Sequence, residues 1–260
     1  MPIAAVVARR LAWDSEFFRV PMARIEYVLG SDEGARRAAV GATLAELGAR
    51  GVRHVAARVD VANVAGAALL EDCGFRLRDA LMTYVSRPVK EPAREVRARG
   101  RVRPFREEDG PELVALAREA FRGFHSRFHA DPGLPRDRAD ALYEEWAREC
   151  VSGRMADTIL VSEGERGLLG FLAWRRREPV SSVSGVPIFG GGLGACRPDA
   201  PGAFAGLVHT ATRWAHERGG VAECQTLNHN FAAIRVYEEV GAHYVRGEYT
   251  MHVTLRSGGS

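Results

Sequence analysis

The chain has 260 residues, 46% of them hydrophobic, which is enough material for one or two packed domains. No apolar run reaches the roughly 18 residues of a membrane-spanning helix, and the net charge of +3 comes from scattered residues. These features exclude a membrane span and disfavour a nucleic-acid-binding protein, which carries a clustered basic face.

Residue types narrow the chemistry further. Of the 36 basic residues only Lys90 is a lysine, so there is no phosphate-binding loop with a lysine, and only Lys90 could form a Schiff base. The first residues place an apolar patch before the arginines, the reverse of a secretory signal. Four cysteines show neither C-x-x-C nor zinc-finger spacing: Cys73, Cys150, Cys196 and Cys224. We therefore expect a cytoplasmic protein with reduced thiols and no nucleic-acid or membrane partner.

The first unit is predicted to alternate strands and helices. A Ser/Asp capping signal opens its first helix, and Val40, Leu44 and Leu47 form that helix's apolar stripe. The predicted elements are a strand over 20–29, a helix over 31–51, a strand over 52–59, a helix from Asn63 and a strand over 81–86.

A Pro- and Arg-rich stretch, 86–100, has no apolar period and reads as a linker. We therefore divide the chain into a truncated unit over 1–88, a linker over 89–99 and a complete domain over 100–256.

The second unit is predicted to be longer. Asp109 and Pro111 indicate the start of a helix. The predicted strands are 101–105, 157–163, 167–176, a Gly-rich stretch over 186–198, 221–227 and 248–256, and the predicted helices are 109–121, 138–151, 207–220 and one from Asn230. The order β-α-α-β-β-β-α-β-α-β results, and the first unit matches its second half.

Two stretches repeat one pattern. NVAGAALLEDCGFRL begins at Asn63, and NFAAIRVYEEVGAHY begins at Asn230, an offset of 230 − 63 = 167 residues. Each has an asparagine and, eleven residues later, a glycine. The seventh residue after the asparagine is Leu70 in one copy and Tyr237 in the other. A buried tyrosine usually serves packing. Since Leu70 meets that need in the first copy, the hydroxyl of Tyr237 favours a function.

The element order and the Asn-x6-Tyr-x3-Gly pattern resemble the GCN5-related N-acetyltransferase (GNAT) family. The stretches WDSEFFRVPMARI and SRFHADPGLP…LYEEWAREC are similar to the acetyltransferases of dTDP-linked amino sugars, of the dTDP-fucosamine type. Those enzymes also carry a truncated unit before the full one. The resemblance implies an α/β (α+β) GNAT fold in a tandem arrangement, with a catalytically silent first unit. Strands are often shared across dimers in this fold, so a homodimer is one assembly that the resemblance allows.

The resemblance also implies roles for individual residues. Acyl transfer to an amine needs a positioned nucleophile, a donor for the oxyanion and a proton for the departing thiolate. By position in the family's pattern, Tyr237 is the catalytic acid, and acetyl-CoA is the co-substrate. Asn230 is expected to cap its helix and to contact the cofactor. The further cofactor-binding candidates are Gly194, Ala195, Cys196, Gly202, Ala203, Ala205 and Gly206.

The chain departs from the family in its pyrophosphate loop. The family's Gln/Arg-x-x-Gly-x-Gly/Ala aligns with PGAFAG, so Pro201 replaces the Gln/Arg and Phe204 replaces the middle glycine. Proline has no N–H to donate, and the phenylalanine could clash with a close pyrophosphate. The glycine run 190–194 before the loop indicates either a close approach of a ligand or a flexible loop.

The segment HSRFH supplies the substrate-binding candidates, which are His125, Arg127, Phe128 and His129. The two histidines have i, i+4 spacing, which could hold zinc, but no glutamate follows the first as in H-E-x-x-H. We therefore expect a polar substrate loop and no metal. Glu223 and His209 are further candidates for a general base, and none is assigned.

The prediction is therefore an N-acetyltransferase that moves an acetyl group from acetyl-CoA to the amine of a small molecule, in particular a nucleotide-linked amino sugar in a biosynthetic pathway. An alternative is a GNAT-fold protein whose altered loop serves another reaction or only binds a ligand. A partner-binding protein without activity is a third class, against which the tyrosine argues.

Overall fold

The computed structural model describes residues 3–88 and 98–255. They form two compact units that are interleaved along the chain. The first unit runs to Leu81 and takes in 125–139 and the chain from Arg246, and the second contains the segments 82–124 and 140–245. The predicted linker lies mostly outside the described residues. The linear boundaries 1–88 and 100–256 stay a prediction, while contacts within the protein define discontinuous units.

The first unit contains a small mixed sheet with helices from the chain's first third. Its elements are β1 (Ala5–Arg10), α1 (Ala12–Phe18), β2 (Met22–Leu29), α2 (Glu33–Ala49), β3 (His54–Asp60), α3 (Val64–Asp72) and the start of β4 (Arg76–Ser86). The strand β11 (His243–Thr254) returns to this unit and lies antiparallel to β3. The strands follow the order β1-β2-β3-β11, and β2 runs parallel to β3 because α2 connects them.

The two faces of this sheet differ in polarity because successive side chains of a strand point to opposite faces. Val55, Ala57 and Met251 lie on the apolar face and belong to one buried cluster with Val40 of α2 and Leu70 of α3. Across β3 and β11, the other face carries polar side chains, which include His54, Arg58, Thr250 and His252. Leu44 and Leu47 of α2 pack against the same cluster as Val40, which confirms the apolar stripe predicted for α2.

The second unit contains most of the remaining elements. These are the end of β4, β5 (Arg101–Pro104), a 3-10 turn (Glu107–Asp109), α4 (Gly110–Ala120), most of α5 (Arg136–Val151), β6 (Thr158–Gly164), β7 (Gly167–Arg176), α6 (Glu178–Ser184), β8 (Ile188–Gly190), β9 (Gly194–Cys196), α7 (Ala203–Glu217), β10 (Val221–Leu227) and α8 (Phe231–Glu239). Its sheet has the order β10-β8-β7-β6-β5, and β9 pairs with β7. The predicted hairpin is confirmed, since Gly164 pairs with Gly167.

The core of this unit lies between α7, α8 and the sheet. It contains Leu207, Val208 and Ala211 of α7 together with Trp174 of β7 and Tyr237 of α8. None of the helices among the described residues is both long enough and apolar enough to cross a membrane.

Three short elements escape the sequence analysis. The strand β1 and the seven-residue helix α1 precede the first predicted strand, and α6 interrupts the chain before β8. The Gly-rich stretch, predicted as one strand, forms two strands of three residues each. The seven-residue helices and the three-residue strands hold too few residues for a period to be recognised, and the sequence AVVARR of β1 lacks strict alternation.

Candidate functional site

Asn230 is the N-cap of α8. Its Oδ1 accepts a hydrogen bond from the N–H of Ala233 at 3.3 Å, and its Nδ2 donates to Oγ1 of Thr226 at 3.0 Å. The predicted capping role is confirmed, because the amide satisfies an N–H that the helix leaves unpaired. Contact with a cofactor stays a prediction.

The same local structure occurs at α3. Both helices have nine residues, and the N-caps have φ −90° and ψ 67° at Asn63 and φ −86° and ψ 67° at Asn230. The residue that ends each helix has φ −84° and ψ 10°. Left-handed glycines follow, Gly74 with φ +89° and Gly241 with φ +77°. The sequence offset of 167 residues therefore corresponds to a repeat of backbone geometry.

Tyr237 faces inward from α8. Its side chain is 7% exposed, and its hydroxyl donates to the backbone oxygen of Gln225 on β10 at 3.3 Å. The rings of Tyr84 and Phe204 lie with their centroids 5.8 and 6.2 Å from that of Tyr237. Burial, with a smaller contribution from Cys224, raises the pKa of the Tyr237 hydroxyl far above its ordinary value. The group therefore holds its proton at neutral pH.

The Gly-rich stretch that was predicted as one strand is divided into β8 and β9. β8 pairs with β7 on one side and, in parallel, with β10 on the other, whereas β9 pairs with β7. No described residue pairs with the second side of β9. The edge of β9 that faces away from β7 is therefore unpaired among the described residues.

The hydrogen bonds between β7 and β9 show which N–H groups of β9 point away from β7. Ala173 N–H donates to the oxygen of Leu193, and Arg197 N–H donates to that of Leu169. Because bonded and non-bonded pairs alternate in an antiparallel ladder, the N–H groups of Gly194 and Cys196 point away from β7. These are two backbone donors without a strand partner among the described residues.

The glycines between β8 and β9 serve the sheet itself. A Cβ atom on Gly192 would overlap the backbone oxygen of Ala173, and one on Gly190 would overlap that of Glu223. Neighbouring strands thus approach too closely for any side chain. The backbone that approaches Gly190 and Gly192 is therefore the protein's own, and the predicted approach of a ligand stays a prediction.

The predicted pyrophosphate loop lies at the start of α7. Gly202 is the N-cap with φ +89°, which only glycine adopts at little cost. The N–H of Ala203 donates to the oxygen of Ala200. Those of Phe204 and Ala205 have no acceptor among the described residues. The first turn of α7 therefore retains two of the donors that can bind an anion.

Phe204 points along the inside of this region. Its Cε2 atom would be 3.1 Å from a Cβ atom on Gly194, so the ring fills the space that the glycine leaves open on β9. Its other neighbour is the ring of Tyr237. The side chain that replaces the family's glycine therefore lies between β9 and the predicted catalytic acid.

Comparisons with known proteins support the assignment of the fold. No protein-family model matches the chain. A GCN5-related N-acetyltransferase from Sphaerobacter thermophilus superposes with a TM-score of 0.63 over 97% of this chain and 77% of its own, at 14% identity. One from Kribbella flavida gives 0.59 over 97% and 88%, at 16% identity. This chain has the GNAT fold.

Two further relatives are informative. A tandem GNAT protein from the clavulanic acid biosynthesis pathway superposes with a TM-score of 0.58, at 14% identity, over 93% of this chain and 77% of its own. The spore coat polysaccharide biosynthesis protein SpsD of Bacillus subtilis is 29% identical over 159 residues, which are 58% of this chain. The chain spans about half the length of that relative, 51%. The resemblance to fucosamine enzymes in particular is not confirmed.

The predicted substrate segment belongs to the first unit. Phe128 is 3% exposed and stacks on Phe18 of α1 with centroids 4.9 Å apart. The Arg127 guanidinium lies 4.2 Å from the centroid of the Phe128 ring. His125 is exposed, and the Nδ1 atom of His129 lies 3.0 Å from the hydroxyl of Ser126. Packing thus accounts for Phe128 within this unit, and substrate contact by the segment stays a prediction.

A buried carboxylate anchors this segment. Oδ2 of Asp131 accepts hydrogen bonds from Nε2 of His54 at 2.9 Å and from Nδ1 of His252 at 2.7 Å. Oδ1 accepts from the N–H of Gly133 at 2.9 Å. Burial raises the pKa of Asp131, but these donors outweigh it and hold the pKa well below its usual range. Asp131 is therefore ionised, and both imidazoles donate to it.

These three side chains are also of the types that bind metals, with candidate ligand atoms within 4.8 Å of one another. However, Nε of Arg78 lies 3.6 Å from Oδ2 of Asp131, so a cation already balances the carboxylate. The arrangement therefore fits a hydrogen-bonded anchor better than a metal centre. The sequence analysis missed it because the three residues are separated by 77 and 121 positions in the chain and share no motif.

The remaining candidates have structural surroundings. Glu223 accepts a hydrogen bond from Arg177 at 2.7 Å, which holds the carboxylate in an ion pair. Burial lowers the pKa of His209, so this imidazole is neutral. All four cysteines are free thiols, and burial raises the pKa of Cys196 and of Cys224 to about 12, which makes both poor nucleophiles.

Proposed function

We propose that the chain is an N-acetyltransferase that transfers an acetyl group from acetyl-CoA to the amine of a small molecule, and that the acceptor is a nucleotide-linked amino sugar. Tyr237 carries this proposal. Its hydroxyl is buried and protonated, and the side chain belongs to one cluster with Cys196 of β9 and Phe204 of α7. A protonated hydroxyl can supply a proton to a leaving group that bears negative charge, and a thiolate that leaves in the same apolar surroundings also has a raised pKa and therefore a greater affinity for that proton.

Each group has a defined part in the proposed reaction. The thioester supplies an activated acyl carbon. The amine nitrogen forms the new C–N bond, the C–S bond breaks with its electron pair on sulfur, and Tyr237 protonates that sulfur. The proton that the amine loses restores the hydroxyl. The N–H groups of Gly194 and Cys196, which point away from β7, are the candidate donors to the oxyanion.

The residues of the predicted donor site fit acetyl-CoA in part. Glycine at Gly202 and the unpaired N–H groups of Phe204 and Ala205 suit a pyrophosphate at the start of α7. Asn230 and the β9 residues Gly194, Ala195 and Cys196 stay candidates for the pantetheine arm. Pro201 offers no N–H, and the Phe204 ring takes up space beside β9.

The acceptor class rests on two observations. The relative SpsD is a spore coat polysaccharide biosynthesis protein, and polysaccharide precursors are nucleotide-linked sugars. The segment that holds His125, Arg127, Phe128 and His129 resembles amino-sugar acetyltransferases in sequence. Asp131 and Phe128 hold its backbone in place. We infer that the exposed side chains of this segment contact the acceptor.

An activity screen tests the proposal. Purified protein is incubated with acetyl-CoA and a panel of amines, which includes dTDP-amino sugars, simple amino sugars and aminoglycosides, and released CoA thiol is followed by a disulfide reagent. We expect thiol release with a dTDP-amino sugar and a product heavier by one acetyl group in mass spectrometry. Tyr237→Phe is the matched control. Transfer to none of the amines, at donor concentrations shown to saturate the protein, would contradict the function.

A second function is favoured by the Phe204 ring. If a CoA thioester cannot enter, the GNAT fold would serve another reaction or only bind a ligand. Failure of acetyl-CoA to bind up to millimolar concentration, together with binding of a dTDP-amino sugar alone, would support this second function over the first.

A further inference from the structure

Phe204 separates the start of α7 from the predicted catalytic acid. It is the second residue of the helix, and its ring packs against the buried cluster that contains Leu207 and Tyr237. The ring lies against β9 at Gly194, which has no side chain. It is therefore held by contacts on two sides within the second unit.

The position of the ring conflicts with a thioester bound as the proposed function requires. A pyrophosphate at the start of α7 would place the rest of the donor between that helix end and the Tyr237 hydroxyl. The Phe204 ring lies in this region, because it packs against Gly194 and its centroid is 6.2 Å from that of Tyr237. Atoms of a donor and of this ring cannot fill the same space, so one must move.

We propose that Phe204 controls entry of the donor, because its ring must turn out from between Gly194 and Tyr237 before a CoA thioester reaches the hydroxyl. This inference rests on the proposed function. It implies weak binding of acetyl-CoA by the wild-type chain, since an apolar ring loses buried contacts when the donor enters. The N–H groups of the first turn that have no acceptor among the described residues are backbone groups, so they can bind the pyrophosphate whichever side chain is present.

A size series tests the inference through binding. Isothermal titration with acetyl-CoA is carried out on the wild-type chain, Phe204→Leu, Phe204→Ala and Phe204→Gly. We expect the Kd to fall as the side chain becomes smaller, by at least about tenfold for Phe204→Ala, which corresponds to about 1.4 kcal/mol. Phe231→Ala is the matched control, because Phe231 is 67% exposed on α8 and its removal should leave the Kd unchanged.

Three outcomes would overturn the inference. The Kd could be the same throughout the series, or rise as the ring is removed, or stay beyond detection for every variant. Circular dichroism shows which variants fold, and Phe204→Leu retains apolar packing if the smaller variants do not. A structure of the wild-type chain with acetyl-CoA then decides, since the ring should leave Gly194.

The binding series and the activity screen can fail separately. A lower Kd in Phe204→Ala without transfer to any amine would support the inference and contradict the proposed function. Transfer by a wild-type chain whose Kd does not respond to the series would support the function and contradict the inference.

Discussion

The two asparagine-capped helices, α3 and α8, have the same backbone but carry a different buried side chain seven residues after the asparagine. Each begins at an asparagine with ψ 67° and ends before a left-handed glycine. Leu70 is 4% exposed and Tyr237 is 7% exposed, so both side chains are buried. The fold therefore needs an apolar group at this position, and leucine supplies it. Packing does not require the hydroxyl of Tyr237, so we assign that group to function.

The surroundings of the two helices also differ, since those of α3 are apolar and those of α8 include a hydrogen-bond acceptor. Leu70 lies in a cluster of aliphatic side chains with Phe75 and Met251. Around Tyr237 are the rings of Tyr84 and Phe204 and a backbone oxygen that accepts the hydrogen bond of its hydroxyl. A buried tyrosine needs a hydrogen-bond acceptor for its hydroxyl, and this oxygen meets that need. In the proposed reaction the leaving sulfur would take the place of that acceptor.

Removal of the Tyr237 hydroxyl should have the largest effect. In Tyr237→Phe we expect kcat to fall by about 100-fold or more, because a positioned general acid contributes at least that factor. The free energy of unfolding should fall by only about 1 kcal/mol, since one hydrogen bond of 3.3 Å is lost. Steady-state kinetics and urea unfolding measure the two quantities.

Tyr84→Phe is the matched control for this experiment. It removes a hydroxyl from the same aromatic cluster, 5.8 Å away between centroids. Loss of activity in both variants would indicate that packing of the cluster matters and that the hydroxyl of Tyr237 has no special part. Unchanged kcat in Tyr237→Phe would make α8 equivalent to α3, as a structural element only.

The repeat of the helices could be predicted from sequence because it depends on local rules. An asparagine cap and a glycine in the left-handed region act within one helix, so their spacing is visible in the letters. The amphipathic helices α2 and α7 were predicted for the same reason. The fold followed from the order of such elements.

The features that could not be predicted from the sequence depend on contacts between residues that are far apart in the chain. The direction of the Phe204 ring is set by Gly194 and Tyr237, which lie 10 and 33 positions away, and no local rule fixes it. The Asp131 anchor likewise forms only when β3 and β11 lie side by side. The discontinuous units also could not be predicted, because segment 125–139 carries no composition signal for the unit that it joins.

Acid should destabilise the first unit, which contains α3, more than the second unit, which contains α8. Burial lowers the pKa of His252 in the first unit to about 4, whereas an unfolded histidine titrates near 6.5. Between these values the unfolded chain binds more protons, so stability is present above about pH 6.5 and is lost as the pH falls toward 4. From pH 7 to 5 the first unit should lose roughly 2 kcal/mol.

Hydrogen exchange at pH 7 and pH 5, corrected for intrinsic rates, measures this difference. Protection should fall in peptides of β3 and less in peptides of β10. His252→Asn keeps an N–H donor for Asp131 and should flatten the pH dependence, whereas replacement of the exposed His243 by Gln should not. A loss of protection in β3 that persists in His252→Asn would show that this imidazole is not the cause.

The smallest expected difference concerns the caps themselves. Asn63 accepts one hydrogen bond from the N–H of Gly66, whereas Asn230 accepts one and also donates one to Thr226. Substitution by Ala should cost about 1 kcal/mol at Asn63 and about 2 kcal/mol at Asn230, as judged from urea unfolding. Substitution by Asp keeps the accepting oxygen and removes the donor, so it should be nearly neutral at Asn63 and cost about 1 kcal/mol at Asn230. If Asp is tolerated equally at both positions, the bond to Thr226 adds nothing, and the two helices differ in their tyrosine and leucine alone.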